Sequence, residues 1–296
     1  MKLSDERRLT FALFLFVPVV CFFVFIVYPI FRSLTLSFQE WDGLSQNIEF
    51  VGWANYKKIF SSELLWVSLT NNLKWLVFSL LAPTMLGFFL ALLVDQKVKG
   101  ESLFQVFFFI PYAITPVAVA SVWSWLYSPR GGVINQLLTS IGLPQFRQVW
   151  IGNPDIATYS VMLASLWWST GFAMVLYFSG LRGIPPELLE AADVDGASFW
   201  VKLRKIVFPQ LLPSTIVVMA MQGISAMRVF DLIYAMTGGG PGISTHVLAT
   251  MMFDVSFNRF EMGAGSAIAV VLLVISSAII LPYVFHSSKG LEELRS

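Results

Sequence analysis

Residues 187–213 read ELLEAADVDGASFWVKLRKIVFPQLLP. Acidic residues come first (Glu187, Glu190, Asp193, Asp195), and basic ones follow (Lys202, Arg204, Lys205). Pro185 and Pro186 precede the acidic turn, where proline is tolerated and carboxylates favour a helix N-terminus. Gly196 then interrupts the helical run and permits a sharp backbone turn. Beyond it Phe199, Trp200, Leu203, Ile206 and Val207 recur at helical spacing. The stretch therefore reads as helix, glycine turn, helix. It lies between two long charge-free segments, so it is expected to be a loop between membrane spans that carries apolar residues outside the lipid.

The whole composition agrees with a membrane setting. Of 296 residues, 56% are hydrophobic and only 12% charged, against about 25% charged in soluble domains. A formal net charge of +1 argues against a nucleic-acid surface. The single cysteine, Cys21, sits in an apolar run, so no disulfide framework forms within the chain. His246 and His286 have no Cys or His partner nearby in sequence, and no metal site is read.

Charge-free runs at 9–31, 75–94, 102–129, 156–181, 206–227 and 262–288 each reach the roughly 20 residues that a helix needs to cross the hydrocarbon core. The run at 232–253 is interrupted by Thr237-Gly238-Gly239-Gly240-Pro241-Gly242, which cannot sustain a lipid-facing helix; it reads as a span end, a turn and a short return segment. The apolar run after the N-terminal basic residues is too long for a signal peptide and has no small-x-small cleavage site, so it reads as a retained first span. Lys and Arg concentrate in segments 1–8, 95–101, 182–205 and 289–296, which hold eleven of the nineteen, against six in the intervening segments. The positive-inside rule then places both termini and the 182–205 loop in the cytoplasm.

Within the spans, Pro111 and Pro116 predict a kinked third helix whose freed carbonyls can line a cavity. Span four holds Ser165, Leu166, Trp167, Trp168, Ser169, Thr170, Gly171 and Phe172. Two readings stand: small residues permitting close helix packing, or aromatic faces and hydroxyls lining a solute cavity. Span five places Gln222, Ser225, Arg228 and Asp231 at three-residue intervals on one slowly drifting face. Such groups in a membrane face a bundle interior or water, or anchor a helix at the interface; Arg228 and Asp231 are spaced to pair. In span six Gly263-Ala264-Gly265-Ser266-Ala267 suits close helix contact.

A family resemblance follows from the opening stretch. Glu190-Ala191-Ala192, then Asp195-Gly196, Ile206 and Phe208-Pro209 at the intervening spacings resemble the EAA loop of ABC importer permeases, which usually has Leu where this chain has Phe208. Tyr28-Pro29, the segment 50–56, the row Pro111…Pro116…Trp123…Gly132-Val133-Ile134-Asn135 and the 237–241 turn are similar to carbohydrate-type members. The resemblance implies an all-α integral membrane protein of the type I importer class, with six transmembrane helices in one domain, 1–296. It also implies a cytoplasmic coupling loop, 182–209, between spans four and five, in which Glu190, Ala191, Ala192, Asp195, Gly196, Ile206 and Pro209 meet an ATPase subunit. By position relative to the EAA loop, Ser165, Trp168, Ser169 and Phe172, with Gln222, Ser225, Ala226 and Val229, match the sugar-lining segments of maltose-type permeases. Arg228 joins them as a substrate-path candidate and leaves an anionic solute open.

The implied function is a permease subunit that carries a carbohydrate-type solute (a sugar, oligosaccharide or glycerol-derived polyol or phosphate) inward by alternating access in a prokaryotic inner or plasma membrane. The implied partners are a second, homologous permease, two ATPase subunits and an extracytoplasmic solute-binding protein. The chain is not expected to be an enzyme or to hold a cofactor: ATP and Mg belong to the ATPase, and no Gly-Lys dipeptide exists to make the Gly-rich turn a phosphate loop. The alternatives are an importer permease for a non-sugar solute and a self-contained secondary transporter. The latter is expected to show inverted repeats, and none is detected.

Overall fold

The computed structural model describes residues 5–95 and 100–293, with side chains for 13–95 and 100–283. The basic residues Lys2, Lys97, Lys99 and Arg295 lie outside the described residues, and the side chains of Arg7, Arg8, His286 and Lys289 lie outside the described side chains.

In lipid every backbone polar group must be satisfied within the chain, so apolar runs become helices. Among the described residues four are each long and apolar enough to cross a membrane: Leu13–Leu36, Glu63–Val94, Ala157–Arg182 and Met262–Tyr283. Two bent pairs raise this to six if each pair is one crossing. The first pair, Glu101–Ala113 and Pro116–Leu126, turns through 98°. Ile114 and Thr115 are extended (ψ 145 at both) because Pro116 offers no N–H to continue the helix and disfavours helical geometry before it. The expected kink is thus close to a right angle. The second pair, Phe199–Gln210 and Leu212–Met227, bends by 64° at Leu211, where Pro213 likewise cannot donate backward.

The described chain divides into two compact units. The first comprises Met1–Leu65 and Met251–Leu273. Its organising feature is a short antiparallel ladder pairing Gln39 with Phe50 and Glu40 with Glu49. Asn55 Nδ2 donates to the carbonyls of Ser37 (3.0 Å) and Gln39 (2.8 Å), fixing the ladder's approach. Phe38, Trp53 and Tyr56 cluster with ring centroids 5.1–5.3 Å apart. The Asp42 carboxylate accepts from the N–H groups of Ser45 and Leu44, which holds its pKa below the ordinary carboxylate value. Gly263 lies against the Gln39 carbonyl, where a side-chain carbon would collide, and Met262 N–H donates to Trp41 O (2.9 Å).

The second unit comprises Trp66–Thr250 and Val274–Ser296. Glu101–Ala113 packs along Ala157–Arg182, and the helix approach is set by Gly171: a Cβ there would overlap the Phe108 carbonyl. Ala173, Met174, Tyr177, Leu211 and Val218 form the buried centre of this packing. Polar clasps close both ends. At one, Arg182 pairs with Asp95 (3.0 Å) and Glu101 (2.7 Å), joining the ends of three helices. At the other, Asn71 Nδ2 donates to the carbonyls of Ser244 (2.7 Å) and His246 (2.9 Å). There Thr158 Oγ1 also donates to Ser244 O (3.0 Å), and Leu248 N–H to Asn72 Oδ1 (2.8 Å). This second clasp ties down the segment that follows the Gly-rich turn. In that turn Gly238, Gly239 and Gly242 take positive φ.

Candidate functional site

The second unit also holds a partly open cavity of about 250 Å³. Its wall is drawn from three parts of the chain. Glu63–Val94 contributes Trp75 and Ser79, Ala157–Arg182 contributes Ser165, Trp168 and Ser169, and the segment 222–232 contributes Gln222, Ser225, Ala226, Arg228, Val229 and Asp231. Pro116, at the right-angle bend, completes it. Eight of the nine residues singled out in sequence as solute-path candidates are brought together here: Ser165, Trp168, Ser169, Gln222, Ser225, Ala226, Arg228 and Val229.

The ninth, Phe172, is placed elsewhere. It stacks on Tyr112 (centroids 4.8 Å, planes 23° apart), and Trp168 stacks on the same ring (5.3 Å, 29°). Trp168 Nε1 donates to the Ile114 carbonyl, one of those freed by the bend (3.1 Å). Tyr112 therefore covers the aromatic face that the four-residue spacing of Trp168 and Phe172 creates, and Trp168 alone of the two reaches the cavity. Span four satisfies both readings on different sides. Gly171, Ala173 and Met174 are buried in packing, while Ser165, Trp168 and Ser169 face the cavity. Ser169 Oγ donates to the Ser165 carbonyl (2.8 Å), so its proton is engaged in its own helix and its free capacity is as an acceptor.

The four-residue polar row of span five is not one continuous helical face. The helix ends at Met227, Arg228 caps it with φ −102, Phe230 lies at φ −142, and a new helix begins at Asp231. The break still delivers all four side chains to one wall, and it separates Arg228 from Asp231: among the described residues neither side chain has an ion pair or hydrogen bond. The Pro116 kink was legible as a place where a cavity could form, whereas Trp75 and Ser79 were not legible as lining residues, because their partners lie tens to over a hundred positions away and no local pattern marks them.

The helix–turn–helix at 186–210 is built as its sequence dictates. Pro186–Val194 ends in a Schellman motif: Gly196 takes φ +71, its N–H donates to Asp193 O (3.1 Å), and Ala197 N–H donates to Ala192 O (2.9 Å). Lys202 reaches back across the turn to Asp193 (2.6 Å). Glu190, Ala191 and Asp195 are exposed, Ala192 is buried, Ile206 is half-buried in the wide turn Leu203–Val207, and Pro209 is exposed in Phe208–Gln210. The segment leaves Val194 88% and Trp200 71% exposed, with Phe199 and Leu188 also uncovered. The segment thus carries uncovered apolar side chains beside its charged ones.

Comparison with known proteins agrees with this architecture. Residues 83–287 match the family described as binding-protein-dependent transport system inner membrane component. A probable ABC transporter permease of Pyrococcus horikoshii is 37% identical over 95% of this chain and 96% of its own length. The trehalose/maltose transport system permease protein MalF of Thermococcus litoralis is 32% identical over 88% of this chain and 87% of its own. A solved bacterial ABC transporter involved in the import of the acidic polysaccharide alginate shares the fold with a TM-score of 0.84, at 22% identity and 96% coverage of both chains. With two bent helix pairs, a central cavity and a match over most of its length, this chain belongs to the inner-membrane permease components of binding-protein-dependent ABC transport systems, in which ATP hydrolysis falls to a separate subunit.

Proposed function

We propose that the chain carries a carbohydrate-type solute inward as one permease of a heterodimer, served by two ATPase subunits and an extracytoplasmic binding protein. One observation carries the reading: the cavity wall combines an aromatic face, Trp168, with hydroxyl and amide groups from separate helices, Ser165, Ser225 and Gln222. Aromatic faces pack on the apolar faces of sugar rings, and amides and hydroxyls exchange hydrogen bonds with their rims. The trehalose/maltose relative supports the solute class. ATP and Mg stay on the ATPase.

Each bent pair is read as one crossing, giving six spans in a single permease domain, with the 182–209 loop joining spans four and five. The Arg182 clasp supports this, since it gathers Asp95, Glu101 and the start of the loop at one end. Those are segments that the Lys and Arg distribution assigns to the cytoplasm. Glu190, Ala191, Ala192, Asp195, Gly196, Ile206 and Pro209 then form or frame the docking surface for the ATPase, whose burial would cover Val194, Phe199 and Trp200.

Two measurements check the reading. In the assembled transporter, Trp168→Ala and Gln222→Ala lower uptake of transported saccharides by about tenfold or shift the preference among them, the scale of one lost buried contact. Wild-type uptake by both variants would return these residues to packing. In a Cys21-free background, a cysteine replacing exposed Ser198 labels only from the cytoplasmic side, and one replacing exposed Ser45 only from outside. Reversal of either overturns the orientation.

A further inference from the structure

Two of the cavity's lining side chains carry buried N–H groups with no acceptor in the protein: Trp75 Nε1 and Gln222 Nε2. Trp75 is 1% exposed and Gln222 5%. Unpaired buried donors are costly, and a wall that served packing alone would be cheaper with Phe and Leu at these positions. Both belong to the same wall as the only charged groups that line it among the described residues, Arg228 and Asp231. These carry opposite charges, and neither is paired with the other or with a third described group. The wall is therefore neutral overall: Trp75 and Gln222 give it buried, unpaired donors, and Arg228 and Asp231 give it one exposed charge of each sign.

The geometry points to Trp75 as a solute-binding residue of this permease, and to an uncharged polyhydroxylated solute as the occupant. This rests on the carbohydrate reading above and narrows it. Each hydroxyl of a neutral saccharide both donates and accepts. Hydroxyl and ring oxygens would accept from Trp75 and Gln222, and a hydroxyl between Arg228 and Asp231 would accept from the first and donate to the second. A carboxylate or phosphate on the solute would pair with Arg228 but bring a second anion beside Asp231 on the same wall, so Asp231 acts as the element that disfavours anionic solutes. Trp75 is reached only through the fold, since it lies about 90 positions from Ser165 and almost 150 from Gln222.

The test uses the assembled transporter, with its own ATPase, partner permease and binding protein, in proteoliposomes. The probes are trehalose, maltose, xylobiose and the anionic trigalacturonate. At position 75, tryptophan is replaced by its sulfur isostere benzothienylalanine, which keeps the ring shape and deletes the N–H. The expected result is uptake of at least one neutral probe by the wild type. For that probe the half-saturation concentration rises about tenfold in the isostere variant, the loss of one hydrogen bond to a buried group. The Tm without solute is not lowered, because the group removed had no partner to lose. Asp231→Asn raises trigalacturonate uptake relative to the neutral probe by about tenfold or more. The binding protein is common to all preparations, so changes in these ratios belong to the permease.

An unchanged half-saturation in the isostere variant overturns the role of Trp75. Wild-type uptake of trigalacturonate alone overturns the uncharged solute while leaving the carbohydrate reading intact. Uptake of none of the four removes the carbohydrate reading and this inference with it.

Discussion

Gly196→Asp abolishes transport while the protein still inserts and folds. The structure separates these two effects. At φ +71 a side chain is strained, by on the order of 1 kcal/mol, and Asp is among the residues that tolerate this region best. Among the described residues, no heavy atom beyond the two chain neighbours lies within 4 Å of where a Cβ would stand. The substitution therefore costs the isolated subunit little. The open space at Gly196 is on the exposed side of a turn flanked by uncovered Val194, Phe199 and Trp200. A charged side chain there obstructs whatever covers that apolar surface, and uptake falls to background. Membrane-inserted yield and Tm in detergent, measured beside uptake, decide the matter. Normal uptake at wild-type expression removes the coupling role of the loop; loss of folded protein makes the glycine structural instead.

The same Gly→Ala substitution has opposite outcomes at two other positions. At Gly223 the nearest atom to an added Cβ is Leu80 Cδ2 at 3.6 Å, an ordinary contact, and Ala stabilises the helix by about 0.5–1 kcal/mol. At Gly171 the added carbon overlaps the Phe108 carbonyl and crowds the backbone of Phe109. A helix backbone cannot yield as a side-chain end can, so Gly171→Ala is expected to cost about 3 kcal/mol or more, the upper end of overpacking penalties. The two helices must move apart, and that displaces Tyr112 from its stack on Trp168 at the cavity wall. Thermal unfolding of the two purified variants tests this directly: Gly223→Ala melts at or above the wild type, and Gly171→Ala melts far below it or fails to accumulate. Equal melting would show that the crossing has slack.

The contrast between these glycines shows where sequence reading stops. All three stand in helical or loop patterns that look permissive in the sequence. Gly196 is read in full from its neighbours, because the acidic run before it and the apolar helical spacing after it are local, whereas Gly171 is read only as one of several small residues that suit close packing. Gly171 and Gly223 differ only through atoms more than 60 positions away. Local physics also made the membrane setting, the main apolar runs and the helix–turn–helix at 186–210 legible. Charge-free length fixes what can cross lipid, and proline fixes where a helix must break.

Other features required the tertiary structure. Pro116 announced a bend but not its 98° angle, which depends on how the two halves pack. The three-residue row from Gln222 to Asp231 suggested a single helical face, yet the helix stops at Met227 and the chain re-enters at Asp231. The polar groups still meet, by tertiary placement and not by periodicity. Phe172 carries the right spacing from Trp168 but is covered by Tyr112, a residue from another helix. Trp75 has no local signal at all. The sequence by itself determined what kind of environment each segment needs, since hydropathy, charge and backbone freedom act within a few residues. Only the tertiary structure decided which distant side chains share the cavity, because burial and orphaned hydrogen-bonding groups are properties of what surrounds a residue in space.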